Sequence, residues 1–148
     1  MKWELIKLSE FSSLNLFEYL KLRQAVFVVE QNCPYPDIDE TDQSSHHLLG
    51  WDGDQLGACA RIVPPGVSYE YPSIGRIATH IDLRMTGLGR DLVGRSIEHT
   101  QQLYPNQNIK IGAQSRLEKF YQSFGFETSS AIYIEDDIPH IHMILSAK

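Results

Sequence analysis

Ile74-Gly75-Arg76-Ile77-Ala78-Thr79-His80-Ile81-Asp82-Leu83-Arg84-Met85-Thr86-Gly87-Leu88-Gly89-Arg90 decides how this chain is read. Its first half reads as a strand from Ile74 to Ile81, bounded by Pro72, with Ile77, Thr79 and Ile81 alternating on one face. Its second half is a short, basic, glycine-bearing turn. Beyond it, Leu88, Leu92, Val93, Ile97, Thr100 and Tyr104 recur at three- and four-residue spacing until Pro105, the pattern of an amphipathic helix. Strand, turn and helix in that order leave the first helical N–H groups unpartnered at the positive end of the helix dipole. An anionic phosphate fits there. Gly87 and Gly89 have no Cβ to hold it off the backbone, and Arg84 and Arg90 add positive charge.

Two familiar phosphate loops fail on their spacing. A Walker-type loop needs a lysine and a hydroxyl after its last glycine, whereas Arg90-Asp91 follows Gly89. A dinucleotide fingerprint needs a third glycine or alanine where Leu92 stands. The stretch from Ile77 to Gly89 instead resembles the acetyl-CoA motif of the GNAT family of N-acetyltransferases, a hydrophobic strand followed by Arg-x-x-Gly-x-Gly. A second match is Phe120-Tyr121-Gln122-Ser123-Phe124-Gly125-Phe126, similar to the family's Tyr-x-x-x-Gly-Phe signature. Arg23 to Gln31 and Asp136 to Met143 further resemble its ElaA-type subgroup, so that the likeness covers nearly the whole chain.

The resemblance implies an α/β acetyltransferase fold with a central mixed sheet flanked by helices. It implies acetyl-CoA as cosubstrate, its pyrophosphate held by Arg84, Met85, Thr86, Gly87, Leu88, Gly89 and Arg90. Backbone donors at Ala78, Thr79 and Ile81 would face the thioester and pantetheine, and Tyr121 would protonate the departing thiolate. A phenol with an ordinary pKa near 10 is protonated at neutral pH and can do so. Where the family often has asparagine, this chain has Ser115 between Gln114 and Arg116.

The acceptor implied is an amine. An ammonium must lose a proton before it attacks, so a base is needed; His80, beside the thioester strand, is the first candidate, with Glu30, Glu40, His46 and His47 as alternatives. Asp37, Asp39, Glu40 and Asp42 fall within six residues and read either as a solvated loop or as acids that attract a cationic amine. His140 and His142 share one face of a strand and could meet His46 or His47 around a metal, but no carboxylate or cysteine stands at a supporting spacing, and no metal is assigned. The rivals are an acyl-CoA-binding module without transfer activity and a protein for some other phosphate ligand.

The rest of the chain fits one domain over residues 1–148. A net charge of −6 argues against a nucleic-acid partner, which would need a basic face. No apolar run approaches the ~20 residues of a membrane span, and Met1-Lys2-Trp3-Glu4 opens without a signal-peptide core, so the expectation is a cytoplasmic protein without a membrane partner. Oligomeric state is open, a homodimer included. Cys59 reads as a buried small hydrophobe and Cys33, beside Pro34, as a loop residue open to solvent.

Expected elements are a strand over Trp3 to Leu8, one or two helices from Leu14 to about Val29, and a loop from Cys33 to about Ser45. Strands His46 to Trp51 and Gln55 to Val63 form a hairpin about Asp52-Gly53-Asp54. After the central helix come a strand Ile109 to Ala113, a helix Leu117 to Phe124 capped by Gly125, and strands Ala131 to Ile134 and Ile141 to Leu145.

Overall fold

A computed structural model describes residues 1–148. Strands β1 (Lys2–Lys7), β2 (His46–Asp52), β3 (Gln55–Val63) and β4 (Ser73–Thr79) pair antiparallel in sequence order. Strand β5 (Ile109–Gln114) pairs antiparallel with β8 (Ile138–Leu145), which also carries β6 (Glu127–Thr128) and β7 (Tyr133–Glu135). The two sheets meet where the Lys110 N–H donates to Pro72 O at 3.0 Å. From that point β4 and β5 run the same way and part, because the cavity between them is lined by residues 74–79 on one side and 111–114 on the other.

Helix α1 (Ser13–Arg23) begins at Ser12, whose hydroxyl accepts from the Asn15 N–H, and continues as a π-helical segment Gln24–Glu30. The wider turn shows in bonds such as Gln31 N–H to Val26 O and Cys33 N–H to Val28 O, each five residues back. It carries Val26, Phe27, Glu30 and Gln31 to the cavity while Val29 faces solvent. Tyr19, Leu22 and Val26 of this unit pack on Leu49, Leu56, Cys59 and Ala78, one of two apolar cores. On the opposite face α3 (Leu88–Leu103) and α4 (Glu118–Gln122) bury Leu88, Leu92, Val93 and Tyr121 against Leu48, Ala58, Ile74, Ile111, Ala113, Ile141 and Met143. The first four strands thus feed two cores, one on each side, whereas β5 and β8 feed only the second.

Several boundaries move. The expected strand Ile74 to Ile81 stops at Thr79; Ile81 opens a 3₁₀ turn, Ile81–Leu83, that the His80 imidazole caps by accepting from the Asp82 N–H at 3.1 Å. The acidic loop contains a turn of helix, α2 (Thr41–Ser44), too short to show periodicity. The expected strand at Ala131 begins only at Tyr133, and β8 starts at Ile138, three residues early, passing through an exposed Pro139. The β7–β8 turn needs two successive left-handed residues, Asp136 at φ 50° and Asp137 at φ 62°, the geometry that suits a two-residue hairpin. Cys59 is fully buried, as expected, and burial pushes its thiol up to about 12. Cys33 is buried too, not open: its Sγ–H donates to the Asp136 carbonyl at 3.4 Å.

Candidate active site

The split between β4 and β5 opens into a cavity of about 470 Å³. Two features of the chain turn β4 toward it. A bulge breaks the β3–β4 register between Cys59 and Arg61, opposite Arg76, which takes φ 48°. Beyond it the His80 N–H donates to Gly57 O at 2.7 Å, so by alternation His80 and Ala78 direct their backbone groups to β3, and Thr79 directs its own into the gap. Thr79 O indeed accepts from Arg84 Nη2 at 3.2 Å. Of the three expected backbone donors, Thr79 faces the cavity, Ala78 lines it with its backbone turned to β3, and Ile81 lies past the strand in the turn.

The turn before α3 keeps its helix N-terminus open. Gly87 is the N-cap at φ 84°, and no side chain bonds to the exposed N–H groups. Asp91 N–H to Gly87 O is the first bond of the helix, which leaves the N–H groups of Leu88, Gly89 and Arg90 without helical partners. A Cβ built on Gly87 or Gly89 would meet nothing within 4 Å. Gly87 is required by its left-handed φ, whereas nothing in the surrounding fold requires a glycine at Gly89. Met85, also left-handed at φ 65°, projects into solvent, and Thr86 donates its hydroxyl to Leu83 O at 2.6 Å, closing the turn.

The two arginines differ from expectation. Arg84 is not free to meet an anion: its Nη1 and Nη2 each donate to Glu30 at 2.7 Å, a bidentate pair. The same bonds hold the Glu30 carboxyl below the usual carboxylate range, which makes Glu30 a poor base. Arg90 lies over the rings of Phe120 and Phe124, 5.6 and 4.9 Å from their centroids, and donates to Ser123 Oγ at 3.0 Å, tying the start of α3 to α4.

The acidic loop is corrected most. Asp37 pairs with Arg23 and Arg76, Asp39 with Arg61 and Arg76, and Asp42 with Arg23 and Arg61, all within 3.2 Å. Arg23 is fully buried. Burial would raise the Asp42 carboxyl, but the arginines hold it below the ordinary range. These carboxylates fasten the loop to the sheet and are not offered to an incoming amine. His47 joins them from below. Its Nε2–H donates to Asp42 O at 3.0 Å, so Nδ1 accepts from the Tyr19 hydroxyl at 2.7 Å, a neutral ring that burial keeps neutral.

Tyr121 lines the cavity and is 7 % exposed; burial, opposed by Arg116, pushes its phenol up to about 12. His80 lies elsewhere. Its ring faces the outer side of β4 near Gln55, whose Nε2 is 3.1 Å from His80 Nε2, and it does not line the cavity, so it is withdrawn as the base. Glu40, His46 and His47 do not line it either. The histidines proposed to converge do not: His46 and His47 are on β2, whereas His140 and His142 flank Tyr133 in the other sheet. His140 does reach the cavity, a placement that sequence reasoning missed because alternation pairs His140 with His142 without saying which side of the sheet they face.

Comparison with known proteins agrees with this geometry. The acetyltransferase (GNAT) domain family model matches residues 17–147. Protein ElaA of Escherichia coli is 43% identical over 145 residues, covering 97% of this chain and 95% of that one. The crystal structure of E. coli ElaA superimposes with a TM-score of 0.91 at 41% identity, over 98% of this chain and 99% of that one. An acyl-CoA N-acyltransferase from Pseudomonas aeruginosa gives 0.93 at 34% identity, with the same coverage. Split sheets, an open glycine-capped helix and matches of this extent together make the chain a member of the GNAT acyltransferase family.

Proposed function

We propose that the protein transfers an acetyl group from acetyl-CoA to a primary amine by direct attack, in the cytoplasm. The single observation that carries this reading is the open N-terminus of α3, where Gly89 leaves space that the fold itself does not need. Leu88, Gly89 and Arg90 would give backbone donors to the pyrophosphate, with Arg90 the nearby cation, and the Thr79 backbone would meet the thioester arm. The amine nitrogen attacks the thioester carbonyl carbon, the C–S bond breaks, and Tyr121 gives its proton to the leaving sulfur. Coenzyme A supplies the activated acyl group; the protein's part is to orient it, polarise its carbonyl and move protons.

The test is calorimetric titration with acetyl-CoA of the native protein and of a folded Gly87→Glu, Gly89→Glu double variant. It is followed by thiol-release assays with 1,4-diaminobutane, glucosamine and a lysine ester. Binding by the native protein alone, with thiol release for at least one amine, is expected. Binding without release from any amine favours a module that holds acyl-CoA but does not transfer it. Equal binding by both proteins removes the cradle.

A further inference from the structure

An amine acceptor needs a base inside the cavity, and most cavity residues are unsuited to that task. Glu30 is clamped by Arg84, and Asp37 sits between Arg23 and Arg76. Tyr121 is a buried phenol that holds its proton, Cys33 points its thiol at a carbonyl, and Tyr35 donates to Asp137 Oδ2 at 2.8 Å. The lining residues left are Glu135 and Asp136, on the β7–β8 hairpin, and His140.

His140 alone is both buried and oriented. It is 9 % exposed, and its Nδ1–H donates to Ile138 O at 2.7 Å, so the neutral ring carries its lone pair on Nε2. Tyr133 stacks on it at 5.9 Å. Glu135 Oε2 lies 3.7 Å from Nε2 and is exposed to solvent. Register and alternation give the ring its side. Gln114 and His140 are partners, on the face opposite Ile111, Ala113, Ile141 and Met143, the core that includes Tyr121. Tyr121 and His140 therefore approach the split from opposite faces of the β5–β8 sheet.

We propose that His140 Nε2 is the general base that takes a proton from the acceptor ammonium, with Glu135 stabilising the imidazolium and passing the proton to solvent. The inference rests on the acyltransferase reading above. Over one turnover the nitrogen loses two protons. His140 takes the first and frees the lone pair that forms the C–N bond. The second leaves after that bond has formed and restores the Tyr121 proton given to sulfur. Products are the amide, the free thiol and one proton released to solvent.

Glu135 and Tyr133 from β7 lie against His140, His142 flanks the same Tyr133 ring, and Asp136, Arg116, Asp37 and Arg76 line the same cavity. The experiment compares native protein, His140→Gln and Glu135→Gln, using acetyl-CoA titration and the pH dependence of kcat/KM with the best amine of the three above. His140→Gln should keep acetyl-CoA affinity within about twofold, lower kcat/KM by about 10²-fold or more, and abolish the acid limb of the profile. Glu135→Gln, an exposed and structurally mild change, should shift that limb to lower pH. An acid limb that survives in His140→Gln, or that stays in place in Glu135→Gln, overturns the assignment while leaving the acyltransferase reading intact. A native protein that neither binds acetyl-CoA nor releases thiol overturns both.

Discussion

At the scale of single residues, Tyr121 is a core aromatic whose hydroxyl-bearing ring also borders the cavity. Its ring packs edge-on against Phe120 and Phe126, 5.2 and 6.0 Å away, while its face of α4 borders the cavity. Burial that raises the phenol to about 12 keeps it a donor throughout the neutral range. Tyr121→Phe should therefore lower kcat by about 10²-fold with little change in acetyl-CoA affinity; steady-state rates alongside calorimetry check this, and an unchanged kcat removes the hydroxyl from the reaction. The placement of Tyr121 at the cavity was legible in the sequence because its spacing to Gly125-Phe126 is local. The partners of Arg84 and of Asp42 were not. Glu30 lies 54 residues from Arg84, and Arg23 lies 19 from Asp42, and no pattern along the chain marks such pairs.

At the scale of elements, the start of α3 separates what the fold requires from what a ligand requires. Gly87 has a left-handed φ that alanine tolerates poorly, but Gly89 sits inside the helix with open space around it. Gly89→Ala should leave stability unchanged or raise it by about 0.5–1 kcal/mol, read from a urea midpoint. The same change should weaken acetyl-CoA binding about tenfold or more, since displacing a charged phosphate from one backbone donor costs ~1.5 kcal/mol. Stable protein with undiminished binding would mean that no anion approaches this backbone. Long periodic elements such as α3 and the β2–β3 hairpin were readable. The four-residue α2, the two-residue β6 and the widened turn after Arg23 were not, because each is shorter than the period that would announce it or depends on packing far along the chain.

At the scale of the whole molecule, buried titratable groups set the pH range of stability. Burial lowers His46 and His47 from their ordinary value near 6.5, so the unfolded chain binds their protons more readily. Their contribution is complete above about 6.5 and is lost as pH falls through the lower folded values, with Asp42 adding a further loss below its ordinary 3.8. Cys59 and Tyr121 act in the other direction: both are raised to about 12, and their contributions hold below 9.0 and 10.0 and fade as pH rises toward 12. Tm should be level from about pH 6.5 to about 9 and decline on either side. Calorimetric scans across pH 4 to 11, the range these groups bracket, check this, and a Tm still rising between pH 9 and 11 would contradict it.

The parting of β4 from β5 has a consequence for how the protein behaves in a crowded solution. An exposed strand edge invites other chains to add to it, and proteins usually blunt such edges or cover them. Here the unpaired edge of β4 looks inward, across the cavity, and Arg76, Arg116 and Glu135 stand among the residues around it. A neighbouring protein's strand would have to bring its side chains past those charges, whereas a slender chain bearing amides of its own could lie along the edge without them. The open edge of β4 thus sits within the walls of the molecule's own cavity.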